Sequence, residues 1–190
     1  MKRVLSRLGL CVLATVTAGL VCQAAEGELA YAGTKKCRAC HLKEFTSWSE
    51  TKMAKSFELL KPGVAADAKT KAKLDPKKDY TADPNCLGCH TTAYGKAGGY
   101  VDMATTPDLA GVGCEMCHGP GGTYLEKEHM SLSNKEYKKV DLVKVGLVGE
   151  ITKDQCANCH NSKSPFFKEF KFEERKTKGT HEKFPLKYKH

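Results

Sequence analysis

Apolar residues recur at helical spacing in one long segment of the chain, residues 41–63, which follows a Cys-rich motif. The side chains on the shared face are Phe45, Met53, Phe57 and Leu60, with Trp48 adjoining. A spacing of three to four residues predicts an amphipathic helix. Pro62 and Gly63 come next, and they predict its end.

Beyond this segment the pattern predicts short elements and long loops. Residues 64–85 form a short Ala/Lys-rich helix and then a polar loop. Residues 91–113 hold five glycines and predict a loop, with a small hairpin around Gly99–Met103. HGPGG, residues 118–122, predicts a tight turn. The expected fold class is therefore mainly α with long irregular segments.

Two further helical stretches complete this outline. A helix is expected from Thr123 to about Leu132, and the aromatic, lysine-rich tail from Ser164 is expected to be partly helical. The outline contains no repeat longer than the Cys-rich motifs described below.

The first residues have the pattern of a secretory signal peptide. Three cations precede an apolar stretch, residues 8–21, and small residues follow it. Val21 is bulkier than the residue expected before a lipid-bearing Cys22, so a lipoprotein is the less favoured interpretation. We therefore predict a signal at residues 1–25 and one domain at 26–190. No later stretch is long and apolar enough to cross a bilayer, and the expected location is the periplasm, with the cell exterior as the alternative.

Eight of the ten cysteines fall into four C-x-x-C-H motifs. This spacing is typical of c-type haem attachment, in which two cysteines bind the haem covalently and the histidine binds its iron. Zinc sites need no histidine after each pair, and a disulfide framework would not place one there. The four motifs therefore predict four c-type haems. The cysteines are Cys37, Cys40, Cys86, Cys89, Cys114, Cys117, Cys156 and Cys159, and the proximal histidines are His41, His90, His118 and His160.

Four haems on residues 26–190 leave too little chain for a large side-chain core around each. We expect the haems themselves to form the core, with helices and loops packed between them. The formal charge of +9 falls to +6 without the three cations of the signal. Eight haem propionates would take up most of this excess, so nucleic acid is not an expected partner. The lysine clusters around Lys69, Lys71 and Lys78, and the acidic residues between lysines, are expected to form a solvated surface.

The remaining histidines are too few to make all four haems six-coordinate. Three histidines are spare: His129 and His181 are favoured as distal ligands, whereas His190 is the last residue. Either one haem uses methionine, or one is open, or both. Spacing alone favours Met53 as a core residue, and Met103 lies in a loop.

At this point the chain resembles the tetrahaem cytochrome c-554 family, known from ammonia-oxidising bacteria. The resemblance rests on long stretches around the motifs and weakens after His160. The matching segments are KKCRACH, SWSETKMAKS, KAKLDPKKDYTADPNCLGCH, YGKAGGY and GVGCEMCHGPGG.

The resemblance implies how the iron of each haem is coordinated. It implies His129 for the first haem and His181 for the fourth, and it implies that the second haem, at His90, is five-coordinate. Met53 stands where the family's best-known member has a histidine that binds the third haem. We therefore predict Met53 as the ligand opposite His118, and an open distal face opposite His90.

The resemblance also implies a role. The family carries electrons from a multihaem oxidoreductase toward a membrane-associated cytochrome, and we expect electron transfer between such redox partners here. The first alternative is reduction of nitric oxide, or another nitrogen oxide, at the open second haem, which would also bind CO. A lower-ranked alternative is a subunit of an extracellular cytochrome filament, with His190 reaching a neighbouring copy.

Overall fold

The computed structural model describes residues 29–186, and it contains short helices joined by turns. The described part has no strand, only the isolated bridges Thr91–Ala110 and Ser131–Asn134, so the predicted fold class is confirmed. The predicted signal and His190 lie outside the described residues. The helices are α1 Thr34–Arg38, α2 Leu42–Ser49, α3 Ala66–Lys71, α4 Pro84–His90, α5 Glu115–His118, α6 Gly121–Tyr124, α7 Lys139–Lys144, α8 Lys153–Ala157 and α9 Phe172–Arg175.

The long amphipathic helix predicted after the first motif is interrupted. Helix α2 ends at Ser49, and a 3₁₀ turn, Phe57–Leu60, carries the later apolar residues. The Met53 carbonyl, in between, accepts N–H groups from Ser56 at 3.2 Å and from Val112 at 3.0 Å. The contact with Val112 comes from a distant part of the chain, so periodicity within the segment could not reveal the break.

The side-chain core surrounds α4. Its buried members are only 3–5 % exposed, and the Phe57 and Tyr100 rings lie 5.6 Å apart. Burial of such aromatic and aliphatic groups is the main favourable term in folding. The second motif therefore folds against protein side chains. The buried cluster consists of Phe57, Leu60, Tyr80, Leu87, Tyr100 and Leu109.

Two of the remaining predictions are wrong in length or type. The hairpin around Gly99–Met103 is absent, since the described residues there form turns. The helix expected from Thr123 is reduced to α6, Gly121–Tyr124, because the Tyr124 carbonyl accepts the N–H of Met130 in a turn. The short Ala/Lys-rich helix is confirmed as α3, and α9 confirms a partly helical tail.

Lys69 is not part of a solvated surface, contrary to expectation. It is 3 % exposed, and its Nζ donates a hydrogen bond to the Lys61 carbonyl at 2.7 Å. The same ammonium lies 5.3 Å from the centre of the Tyr80 ring. A carbonyl and an aromatic face are both favourable partners for a cation, so the side chain completes the core.

The chain divides into two regions with different packing. Residues 29–142, the N-terminal region, contain every buried side chain of the described part, and residues 143–186, the C-terminal region, contain none. No helix within residues 29–186 has the length and apolar character needed to cross a membrane.

Candidate haem-binding site

Each C-x-x-C-H motif forms a helical turn or directly follows one. The histidine N–H donates to the carbonyl of the first cysteine at 2.9 Å in the first, third and fourth motifs, and the second motif lies within α4. Positions i, i+3 and i+4 share one face of a helix. Both thiols and the imidazole of a motif therefore point to the same side, as covalent attachment with axial ligation requires.

Local sequence starts two of these helices. The Asp83 carboxylate caps α4 by accepting the Asn85 N–H at 3.0 Å, and Pro84 is the first helical residue. Thr152 and Gln155 form a reciprocal capping box at the start of α8. The second and fourth motifs are thus preceded by helix starts that the sequence itself encodes.

The first and third motifs meet through a pair of thiols. A hydrogen bond between them raises the pKa of Cys37 and lowers that of Cys114. The two thiols belong to α1 and to the residue before α5, so these short helices lie side by side.

The fourth motif lies between the third and the second. Burial and then the nearby Cys156 raise the pKa of Cys117, and burial and then the Cys89 thiol raise that of Cys159 to about 12. The Cys159 thiol also contacts the Gly88 carbonyl at 3.9 Å. The motifs therefore follow one another in space as first, third, fourth and second.

The thiol chemistry fits four covalently bound haems. None of the eight cysteines of residues 29–186 forms a disulfide, so all eight are available for haem attachment. Within the same residues no three His, Cys, Asp or Glu side chains form a cluster able to hold a metal ion by themselves.

His118 and His181 face each other. Their ring centres lie 6.1 Å apart and the rings are inclined by 30°. Two imidazoles bound on opposite sides of one metal ion at about 2 Å would have ring centres roughly 6 Å apart. Burial, and then the proximity of His181, lowers the pKa of His118, which favours the neutral imidazole that binds metals.

His160 has a different neighbour. Its ring stacks on Phe170 with centres 4.2 Å apart and planes inclined by 19°. Burial and then Arg175 lower the pKa of His160. His181 therefore lies against the third motif, whereas the sequence analysis assigned it to the fourth.

His90 is oriented by the carbonyl of Ser56. Its Nδ1 lies 2.7 Å from that oxygen, and because a carbonyl only accepts, Nδ1 must carry the proton. Nε2 is then free of a proton, in the form that binds iron. The Nδ1 of His41 lies 4.0 Å from a Glu44 carboxylate oxygen, which is too far for a hydrogen bond.

His129 and Met53, the other predicted ligands, are both half-buried. His129 follows α6, and its N–H donates to the Glu126 carbonyl at 3.0 Å. Met53 follows α2 in the turn already described. Both residues thus have a backbone fixed by hydrogen bonds.

Glu115 was not predicted from the sequence, in which acidic residues were expected to be surface groups. This side chain lies between the two cysteines of the third motif and is 3 % exposed. The available signal was its setting, because it lies between Gly113 and the GPGG turn, where little side-chain volume surrounds the chain.

Four haem-attachment motifs on short helices, with no sheet among residues 29–186, define a small multihaem c-type cytochrome. The model of the family "Cytochrome c554 and c-prime" matches residues 36–119. Cytochrome c-554 of Nitrosomonas europaea is 42 % identical over 153 residues, which is 78 % of this chain and 63 % of that relative's length.

The structural comparison agrees with this match. The reduced state of cytochrome c554 from Nitrosomonas europaea has a TM-score of 0.75 and 38 % identity, covering 85 % of this chain and 89 % of that one. The chain belongs to the cytochrome c-554 family, and four c-type haems are its cofactors.

Proposed function

We propose that this protein is an exported electron carrier of the periplasm. The observation that carries the proposal is the succession of contacts between the motifs. Ala32 and Gly33, just before the first motif, donate to Glu115 of the third. Gln155, at the fourth motif, donates to the Cys117 carbonyl of the third at 3.4 Å, and Cys159 contacts the Gly88 carbonyl of the second at 3.9 Å. When bound, each c-type haem supplies a one-electron couple whose potential depends on its axial ligands, hydrogen bonds and burial. The cysteines hold the groups in this succession, and the histidines orient them.

The pattern at residues 1–25 supports export, with residues 26–190 as the mature domain. The proposed partners are a multihaem oxidoreductase as donor and a membrane-associated cytochrome as acceptor. Clusters of exposed lysines, such as those at Lys71 and Lys78, favour acidic docking surfaces on such partners. Stopped-flow reduction by a candidate donor should therefore slow as ionic strength rises, and a rate independent of salt would contradict electrostatic docking.

We assign His181 as the distal ligand opposite His118. The ring separation of 6.1 Å supports this assignment over the one to the fourth motif. With His129 opposite His41, Met53 is then the remaining candidate opposite His160. This moves Met53 from the third motif to the fourth, and a thioether ligand would raise the potential there relative to two imidazoles.

Two variants test these ligands. His181→Ala should change the low-spin signals of one haem in electron paramagnetic resonance and leave the near-infrared band of thioether ligation intact. Met53→His should abolish that band and lower one potential. Met103→Leu, which alters a methionine that is 49 % exposed, is the control. Loss of the band in Met103→Leu would reassign the thioether ligand.

We propose that the position opposite His90 is open. His90 is fixed by Ser56, and His129, His181 and Met53 are assigned to the other haems. Met103 lies in an exposed turn in which the Asp102 carboxylate accepts the N–H groups of Ala104 and Thr105. His190 lies outside the described residues, and a capped second haem would assign it there. A CO titration of the reduced holoprotein should show one CO taken up per protein. No uptake would mean that all four positions are capped and that the protein only carries electrons.

Uptake of one CO would make nitric oxide the first substrate to test. His90→Met changes the proximal ligand of that haem, so it should alter the spectrum of the CO complex and the rate of any nitric oxide turnover while the distal face stays open. An unaltered CO spectrum and an unaltered rate would place the reaction at another haem.

A further inference from the structure

Glu115 is a buried carboxylate at the junction of the first and third motifs. Its Oε1 accepts the N–H groups of Ala32 and Gly121, each at 2.7 Å, and its Oε2 accepts that of Gly33 at 2.8 Å. Gly33 has φ +84°, a conformation that glycine adopts without strain. The chain thus directs three backbone donors, from two separate segments, at one side chain.

These hydrogen-bond partners fit the ionised form of the Glu115 carboxylate. All three are donors, and a protonated carboxyl group would need an acceptor for its own hydrogen. Charge-assisted hydrogen bonds of this length are also the stronger kind. Among residues 29–186, none of the ion pairs formed by Lys, Arg or His involves Glu115. The charge is therefore compensated by peptide dipoles and by no cationic side chain there.

The charge lies beside the haem-attachment residues. Glu115 follows Cys114 directly, and its partners Ala32 and Gly33 immediately precede α1, which carries Cys37. A Cβ added at Gly121 would lie 3.0 Å from Glu115 Oε1 and 3.4 Å from the Tyr124 hydroxyl, so the carboxylate is enclosed. Charges in such an interior interact more strongly than surface charges and are screened little by salt.

We propose that Glu115 sets the reduction potential of the third haem, lowering it through a fixed negative charge, and that its hydrogen bonds align the first and third motifs. Reduction adds an electron, and a buried anion close by makes that addition less favourable. This inference rests on the proposed electron-carrier function, and it makes Glu115 a positioning residue for that function.

The test is a spectroscopic potential titration of the holoprotein. Glu115→Gln removes the charge and preserves the size, and it should favour reduction of one haem about tenfold, which is 59 mV for a one-electron couple. Glu115→Asp retains the charge, and Glu58→Gln removes one from an exposed ion pair with Lys61. Both should change each equilibrium by less than about threefold.

The outcomes separate the roles. Four unchanged potentials in Glu115→Gln, or an equal rise in Glu115→Asp, would overturn the redox role and leave only alignment. Failure of both variants to retain four haems would assign Glu115 to assembly and also overturn it. The rise in Glu115→Gln should persist at high salt. Absence of reversible couples in the unaltered protein would instead refute the electron-carrier proposal itself.

Discussion

The N-terminal and C-terminal regions hold their haem motifs in different ways. In the N-terminal region a cluster of buried aromatic and aliphatic side chains packs around α4, and the buried Glu115 joins the first and third motifs. In the C-terminal region no described side chain is buried, and the fourth motif has a capping box and the contacts of Cys159 and Phe170. The family model also matches only within the N-terminal region.

This difference indicates which motif depends on its bound haem, instead of on protein side chains, for a hydrophobic core. Three motifs lie in a region that has buried protein side chains of its own. The fourth has no such support, so its surroundings should depend on the bound haem. A variant in one region should therefore leave the other region largely unaffected.

The largest effect is expected when the fourth attachment is removed. The double variant Cys156→Ser, Cys159→Ser should carry three haems, and residues 143–186 should lose their protection from proteases and hydrogen exchange. The core around α4 should retain its protection. Cys86→Ser with Cys89→Ser is the matched change in the other region, and an equal loss of protection around both motifs would refute the distinction.

Truncation of a core aromatic should destabilise the N-terminal region. Phe57 is 3 % exposed, and Phe57→Ala should cost about 3–5 kcal/mol through lost burial and a cavity. The measurement is the free energy of opening of the most protected amides. Phe166, in the C-terminal region, is 47 % exposed, and Phe166→Ala should cost about 0.5 kcal/mol or less. Similar values would show that Phe166 is buried in the holoprotein.

Lys69 should matter more than its lysine neighbours. Lys69→Ala removes the donor to the Lys61 carbonyl and the contact with Tyr80, and it should cost about 1–3 kcal/mol in the free energy of unfolding. Lys71→Ala, on the same helix but exposed, should change it by no more than about 0.5 kcal/mol. Equal effects would mean that Lys69 behaves as a surface residue.

The two helix caps should differ in their response to pH. Thr152→Ala should weaken the local stability of α8 by about 1 kcal/mol, measured by hydrogen exchange. The Asn85 N–H lowers the pKa of Asp83, so the cap of α4 stabilises fully above the ordinary aspartate pKa and loses this effect as pH falls through the lower folded value. Thr152 does not titrate, and the protection of α8 should lack this step. A pH-dependent loss of hydrogen-exchange protection in α8, with none in α4, would contradict this prediction.

The sequence predicted what depends on short spacings. The four C-x-x-C-H motifs and helix α3 follow from neighbouring residues. The tight turn predicted at residues 118–122 is instead a two-residue link, Gly119–Pro120, between α5 and α6. The break after α2 did not follow from neighbouring residues, because it depends on Val112 bonding to Met53 across the chain. The burial of Lys69 and Glu115 likewise depends on distant carbonyl and N–H groups. Distal ligands are the hardest case, since the residue that faces His118 lies near the end of the chain.

The contact between His118 and His181 has a consequence for the unfolded chain. A single metal ion that joins the two imidazoles closes residues 119–180, including the fourth motif, into a loop. In the chain-entropy treatment of cross-links, a loop of this length contributes about 4 kcal/mol by restricting the unfolded ensemble. Ligation would then stabilise the C-terminal region largely by lowering the conformational entropy of its unfolded state.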